Sequence, residues 1–175
     1  MDTDSIKNLL KRKPVNTKSR VTLSSGSTLL NLACSDKPRS TFIGGCYYYF
    51  VGDSASGKTF LSLTCFAEAC QNPKFDDYRL IFDDVENGAL MNFERFFGKT
   101  MANRIEPPSI DSDGEPVNST TIQEFYMHLD DAAKQGKPFI YLLDSMDSLS
   151  SEEQEAKIAK KRNALRKRKA GEAEE

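Results

Sequence analysis

Eight consecutive residues, Gly52-Asp53-Ser54-Ala55-Ser56-Gly57-Lys58-Thr59, match the pattern G-x-x-x-x-G-K-[ST]. Such a loop binds phosphate only where it joins a strand to the N-terminus of a helix, so it constrains the fold as well as the chemistry. The flanks meet that condition. Cys46-Tyr47-Tyr48-Tyr49-Phe50-Val51 is an apolar run that reads as a buried strand, and Phe60 to Cys70 reads as a helix that Pro73 ends. Backbone N–H groups at that helix start carry the positive end of its dipole and suit phosphate oxygens. Gly52 and Gly57 permit the tight turn and the close approach of backbone to phosphate. Lys58 would reach the β and γ phosphates, and the Thr59 hydroxyl would bind Mg²⁺. The candidate nucleotide-binding segment is therefore Gly52 through Thr59, with Phe60 next in the helix.

The rest of the composition mainly excludes. At 175 residues the chain can bury one sizeable core and not comfortably two. A net charge of −2 gives no global basic field for nucleic acid, although Lys7, Lys11, Arg12, Lys13, Lys18 and Arg20 make the start basic. Cys34, Cys46, Cys65 and Cys70 lack C-x-x-C spacing and sit in apolar stretches, which reads as buried, reduced thiols in a cytosolic protein. The N-terminus carries charge where a signal peptide needs an apolar run, and no stretch approaches membrane-spanning length. The expected location is cytoplasmic, with no membrane partner.

Strand and helix patterns alternate along the chain. Asp4 or Ser5 caps a short amphipathic helix with Ile6, Leu9 and Leu10 on one face, stopped by Pro14. Residues 15–45 look mostly irregular apart from a short helix at Thr28–Cys34. Arg79–Asp83 reads as a strand, and Gly88–Phe97 as a helix with Leu90, Phe93, Phe96 and Phe97 at core spacing. A loop from about Glu106 to Ser119 precedes a helix capped by Thr120 or Thr121, with Glu124 in its first turn and Phe125, Leu129 and Ala132 or Ala133 as its buried stripe. Pro138–Asp144 is apolar until its last residue and reads as a strand buried on both faces. This order predicts a parallel α/β sheet with helices on both faces. Three regions follow: an N-terminal helix or arm at 1–20, an α/β core at 21–150, and a charged helical or disordered tail at 151–175.

Two acidic strand ends can complete a nucleotide site. Asp144 closes the apolar strand and is followed by Ser145, the arrangement in which a carboxylate holds Mg²⁺, commonly through water. The alternative is a turn-forming aspartate. Asp83-Asp84-Val85-Glu86 closes the preceding strand, and a carboxylate there can orient a water that attacks the γ-phosphate. Asp83 and Asp84 read equally well as caps of the following helix. His128 is the only histidine and has no evident partner, so it receives no role.

Ser24-Ser25-Gly26-Ser27, Leu30-Asn31, Gly44-Gly45, Ser56-Gly57-Lys58-Thr59, Phe82-Asp83-Asp84-Val85-Glu86 and Leu142-Leu143-Asp144-Ser145 occur in an order that resembles the RecA/RadA recombinase superfamily. The resemblance covers about residues 20–150 and is nearer the phage proteins of that superfamily than the bacterial recombinase. It implies a RecA-type P-loop ATPase: ATP and Mg²⁺ as ligands, Glu86 as the base that activates water, Lys58 as the γ-phosphate stabiliser, and Thr59 and Asp144 as the Mg²⁺ residues. It also places an aromatic against the adenine at Phe93, seven residues beyond Glu86, where plain helix core is the other reading. Leu90 stands where the family often has an acid, and Asp53 where bacterial members have proline.

The family's core has further strands after the second acidic strand, one of them lying between that strand and the phosphate-loop strand. No further apolar strand follows Leu149 in this chain, so the expectation is a core truncated there, with the C-terminal strands missing. The basic run Lys157, Lys160, Lys161, Arg162, Arg166, Lys167, Arg168, Lys169 is flanked by glutamates, and reads as a solvated helix or as a DNA-phosphate contact. The resemblance implies a DNA-dependent ATPase of recombination and repair. It would act on single-stranded DNA as a homo-oligomer, either filament or ring. Two other classes fit the loop: a non-catalytic nucleotide-binding assembly module, and a P-loop small-molecule kinase, to which the Asp-Val-Glu strand end is poorly suited.

Overall fold

A computed structural model describes residues 20–86 and 91–171, the side chains of 163–171 excepted. The expected helix near the N-terminus, and Leu90, lie outside the described residues. The chain runs β1 (Thr22–Leu23), α1 (Thr28–Ser35), β2 (Phe42–Ile43), α2 (Lys58–Cys70), β3 (Arg79–Asp84), α3 (Phe93–Phe97), α4 (Lys99–Ala102), β4 (Ile105–Glu106), β5 (Ser109–Ile110), β6 (Pro116–Val117), α5 (Ile122–Lys134), β7 (Phe139–Asp144) and α6 (Glu152–Gly171). The central sheet is parallel, in the order β4-β3-β7. β1 with β2, and β5 with β6, form two small antiparallel pairs.

Period-two alternation assigns the helices to faces. Leu80 and Phe82 of β3, with Ile140 and Leu142 of β7, pack with Leu63, Phe66 and Ala69 of α2 on one side. On the other side Tyr141 meets Phe125 of α5 edge-to-face at 5.7 Å, and the Tyr141 hydroxyl reaches Asp83. The chain is thus α/β, with a three-stranded parallel sheet between helices. The fully buried Leu63, Phe66, Leu80 and Ile81 each contribute about 1.5–3 kcal/mol of apolar burial.

Local signals set the helix boundaries. Ser27 caps α1 by accepting from the Leu30 N–H, and Asp36 ends it in the left-handed region. The Thr121 side chain accepts from the Glu124 N–H while the Glu124 carboxylate accepts from the Thr121 N–H, a complete capping box for α5. Bonds from Thr120 also hold the Glu124 carboxyl below its ordinary value of 4.5. The tail is helical, and its described side chains are exposed. Ser151 and Gln154 bond reciprocally at its start, and this polar capping begins a helix that has almost nothing to bury.

Four expectations are corrected. Residues 46–51 form no strand: Tyr47 is 78% and Val51 94% exposed, and the run joins no ladder. A strand needs a neighbouring edge as well as apolar side chains, and the described sheet ends at β7 without reaching this run. Aromatic contacts hold it instead, with Phe50 and Tyr48 edge-on to Phe42 at 5.8 and 4.9 Å. For the same reason β7 is half-buried along its length rather than buried on both faces. The cysteines divide: Cys34 and Cys46 are exposed, Cys70 is half-buried, and only Cys65 is buried, its thiol pushed up to about 12 chiefly by desolvation. The segment from Glu106 to Ser119, expected as loop, contains the β5–β6 hairpin, and Ile105–Glu106 adds a parallel strand to β3.

Candidate functional site

The loop before α2 has the geometry its glycines require. Gly57 occupies the N-cap with φ +88°, and it has no side chain with which to cap the helix, so the first N–H groups of α2 are left without a side-chain cap. Ala55, two residues earlier, also has a positive φ, +59°, so the loop turns through two left-handed positions. A Cβ at Gly52 would lie 2.9 Å from the Ser56 hydroxyl, so a side chain at position 52 would displace Ser56. Gly52, Ser56, Gly57 and Lys58 line a cavity of about 470 Å³ together with Tyr49, Phe50, Val51 and Leu61. The Lys58 ammonium donates to the carbonyls of Gly52 and Asp53, both at 2.8 Å, and so closes over its own loop. A phosphate entering the loop offers the same ammonium stronger, charged acceptors.

Both acidic strand ends arrive at this loop. Arg79 to Asp84 of β3 pair in parallel with Phe139 to Asp144 of β7, which puts Asp84 and Asp144 directly opposite one another. The Thr59 hydroxyl donates to Asp144 Oδ2 at 2.6 Å. That bond ties the first turn of α2 to the C-terminal end of β7. Beyond the strands, the Glu86 N–H donates to the Asp144 carbonyl at 3.3 Å. The Glu86 carboxylate accepts from the hydroxyls of Ser145 (2.6 Å) and Ser148 (2.8 Å), both at Oε1. These bonds, and more weakly the charge of Lys58, hold the Glu86 carboxyl below its ordinary value of 4.5. The exposed Glu86 is therefore a carboxylate at neutral pH, and Oε2 takes no part in that pair of bonds.

The donor set suits Mg²⁺. Thr59 and Asp144 supply hard oxygen donors within a hydrogen bond of each other. Among the described residues there is no group of three or more His, Cys, Asp or Glu that could hold a metal ion. Mg²⁺ is commonly held by one or two carboxylates, with phosphate and water completing its shell, an arrangement in which Thr59 and Asp144 would be its protein ligands.

The other expected site residues separate. Phe93 packs edge-to-face on Phe82 at 6.1 Å and joins the core cluster, which is its helix-core reading. Asp53, Ser54, Ala55 and Ser56 remain exposed on the loop, and Phe60 is 45% exposed beside them. Asp83 is fully buried. It accepts from the Ser119 N–H (2.8 Å), the Ser119 hydroxyl (2.6 Å) and the Tyr141 hydroxyl (2.6 Å). With its hydroxyl hydrogen committed to Asp83, Ser119 can accept from His128 Nδ1, 2.9 Å away. Asp83 is thus neither a helix cap nor a site ligand. It braces the strand ends from behind, and His128 has a partner after all.

Sequence reasoning missed Ser119, Ser145 and Ser148. A serine directly after a strand-ending aspartate was the available signal for Ser145. Ser119 had none, because its partner lies 36 positions away. No helix among the described residues is long and apolar enough to cross a membrane. Comparison with protein-family models, with curated proteins and with solved structures finds no match.

Proposed function

We propose that this chain binds a nucleoside triphosphate, ATP on the resemblance, together with Mg²⁺, and hydrolyses its terminal phosphate. The observation that carries the reading is the 2.6 Å contact of Thr59 with Asp144, with Glu86 held at the adjoining strand end. The bond that brings the Asp144 carboxylate to the first turn of α2 supports this reading over a chance match to the loop pattern. The N-terminal N–H groups of α2 would receive phosphate oxygens, and Lys58 would leave the loop carbonyls for the β and γ phosphates. Thr59 and Asp144 would hold the metal, which when bound neutralises charge on the phosphates. Glu86 would accept a hydrogen bond from the attacking water and align it. Its lowered pKa makes it better at orienting that water than at removing its proton early.

The finer part of the proposal is a RecA-like ATPase of DNA recombination and repair, working as a homo-oligomer on single-stranded DNA. It rests on the ordered motifs from Ser24 to Leu149. Phosphate release measured with and without single-stranded DNA, in wild type and Glu86→Gln, tests both levels. Hydrolysis that DNA stimulates and that Glu86→Gln abolishes, with nucleotide binding retained, is the expected outcome. Equal turnover in the variant would remove Glu86 from the mechanism, and indifference to DNA would remove the recombination reading.

A further inference from the structure

β7 runs directly into a short 3-10 turn, Met146–Ser148, with Ser145 at its N-cap. Residues at i and i+3 stand on one side of such a turn. Ser145 and Ser148 have that spacing, and their hydroxyl oxygens lie 3.3 Å apart. The Ser145 side chain makes no capping bond to the turn, so its hydroxyl is free for another partner. Both hydroxyls donate to one atom, Glu86 Oε1, at 2.6 and 2.8 Å. The turn that carries them is tied at both ends. At one end the Asp144 carbonyl accepts from the Glu86 N–H. At the other, the Ser150 N–H donates to the Thr120 carbonyl and the Ser150 carbonyl accepts from the Ile122 N–H. Glu86, by contrast, is exposed just beyond β3, where a glutamate side chain has much rotamer freedom to lose.

We propose that Ser148, together with Ser145, is a positioning residue for the hydrolysis: it turns the Glu86 carboxylate so that Oε2 faces the attacking water. This inference rests on the proposed hydrolysis at the triphosphate site and adds to it the residue that aims its water-aligning carboxylate. Because both hydroxyls bind the same oxygen, they orient the carboxylate without covering it. A single donor would let the carboxylate swing about that one bond. A misplacement of about 1 Å is enough to slow a reaction about 100-fold. Ser148 thus acts through Glu86 rather than on the phosphate, and its loss should be felt in turnover and not in nucleotide binding.

The test measures steady-state phosphate release from ATP with Mg²⁺ by the intact chain, beside calorimetric titration of the same preparations. Turnover is expressed per binding site counted by calorimetry, so a partly unfolded preparation does not mimic a loss of kcat. Ser148→Ala should lower kcat about tenfold while KM and ATP affinity stay unchanged. Ser148→Thr keeps the hydroxyl and should restore kcat. The double variant Ser145→Ala/Ser148→Ala should fall further, toward Glu86→Gln. Ser151→Ala, a nearby hydroxyl that instead bonds the Gln154 N–H, should change neither quantity. Wild-type or raised kcat in Ser148→Ala, a fall that Ser148→Thr shares, or a loss of ATP affinity in place of kcat overturns the positioning role and leaves the hydrolysis standing. Wild type that binds ATP without releasing phosphate overturns the hydrolysis, and the positioning role with it. Wild type that binds no ATP overturns the triphosphate site itself.

Discussion

The Thr59 hydroxyl and the Asp144 carboxylate meet at 2.6 Å across 85 positions of sequence. The contact joins the N-terminus of α2 to the C-terminal end of the parallel strand β7. It also predicts how the site responds to loss of one partner. Asp144→Asn keeps the shape and removes the charge. It should weaken Mg²⁺-dependent nucleotide binding on the order of 10–100-fold, as loss of a metal-orienting carboxylate generally does. Magnesium titration at fixed nucleotide would show the midpoint moving to higher concentration.

Glu86 gives a prediction in pH. Its carboxylate accepts from Ser145 and Ser148, so the folded-state pKa lies below the ordinary 4.5. The stabilisation from those bonds is present above the unfolded value and lost as pH falls through the folded value. Ser145→Ala and Ser148→Ala should each move the Glu86 titration upward, and the double variant furthest. Side-chain carboxyl NMR across pH 2–6 (roughly the span that brackets a carboxylate's titration) reads this directly.

Asp83 should matter to stability more than to chemistry. It is fully buried and accepts three hydrogen bonds, two from Ser119 and one from Tyr141. Asp83→Ala strands those donors and should cost about 3 kcal/mol or more in urea denaturation. Tyr141→Phe removes one donor and should cost only about 1 kcal/mol. Burial, then the bond to Asp83, raises the Tyr141 phenol above its ordinary value of 10, so that hydroxyl stays protonated throughout.

Gly57 carries the sharpest backbone requirement of the loop, with φ +88°. Gly57→Ala should destabilise the fold by about 1–2 kcal/mol, the cost of holding an L-residue in the left-handed region. Phosphate affinity should fall with it, because the same residue fixes where the α2 N–H groups point. Thermal denaturation and tripolyphosphate titration of one preparation would separate the two effects.

Much of this arrangement was legible from local pattern. The helix after the phosphate loop, the capped helix from Ile122, and the two strands ending near Asp83 and Asp144 follow from periodicity and capping residues within each segment. What failed was non-local. The run Cys46–Val51 has strand composition, but whether it forms a strand depends on an edge to pair with, and composition does not specify that edge. Asp83 read as a cap because its acceptors' partners, Ser119 and Tyr141, lie 36 and 58 positions away. Phe93 and Phe96 differ by less than one turn of helix. Only the packing of α3 shows that one faces Phe82 and the other leans on Phe60.

Gly52–Thr59 and Asp144 are proposed to make one site for Mg²⁺ and a triphosphate. Calorimetric titration of ATP into the intact chain, with Mg²⁺ and then with EDTA, tests it most directly when repeated on Lys58→Ala. Saturable one-to-one binding that needs Mg²⁺ and is lost in Lys58→Ala is the predicted result. Absence of binding, or binding indifferent to both magnesium and Lys58, would contradict the account.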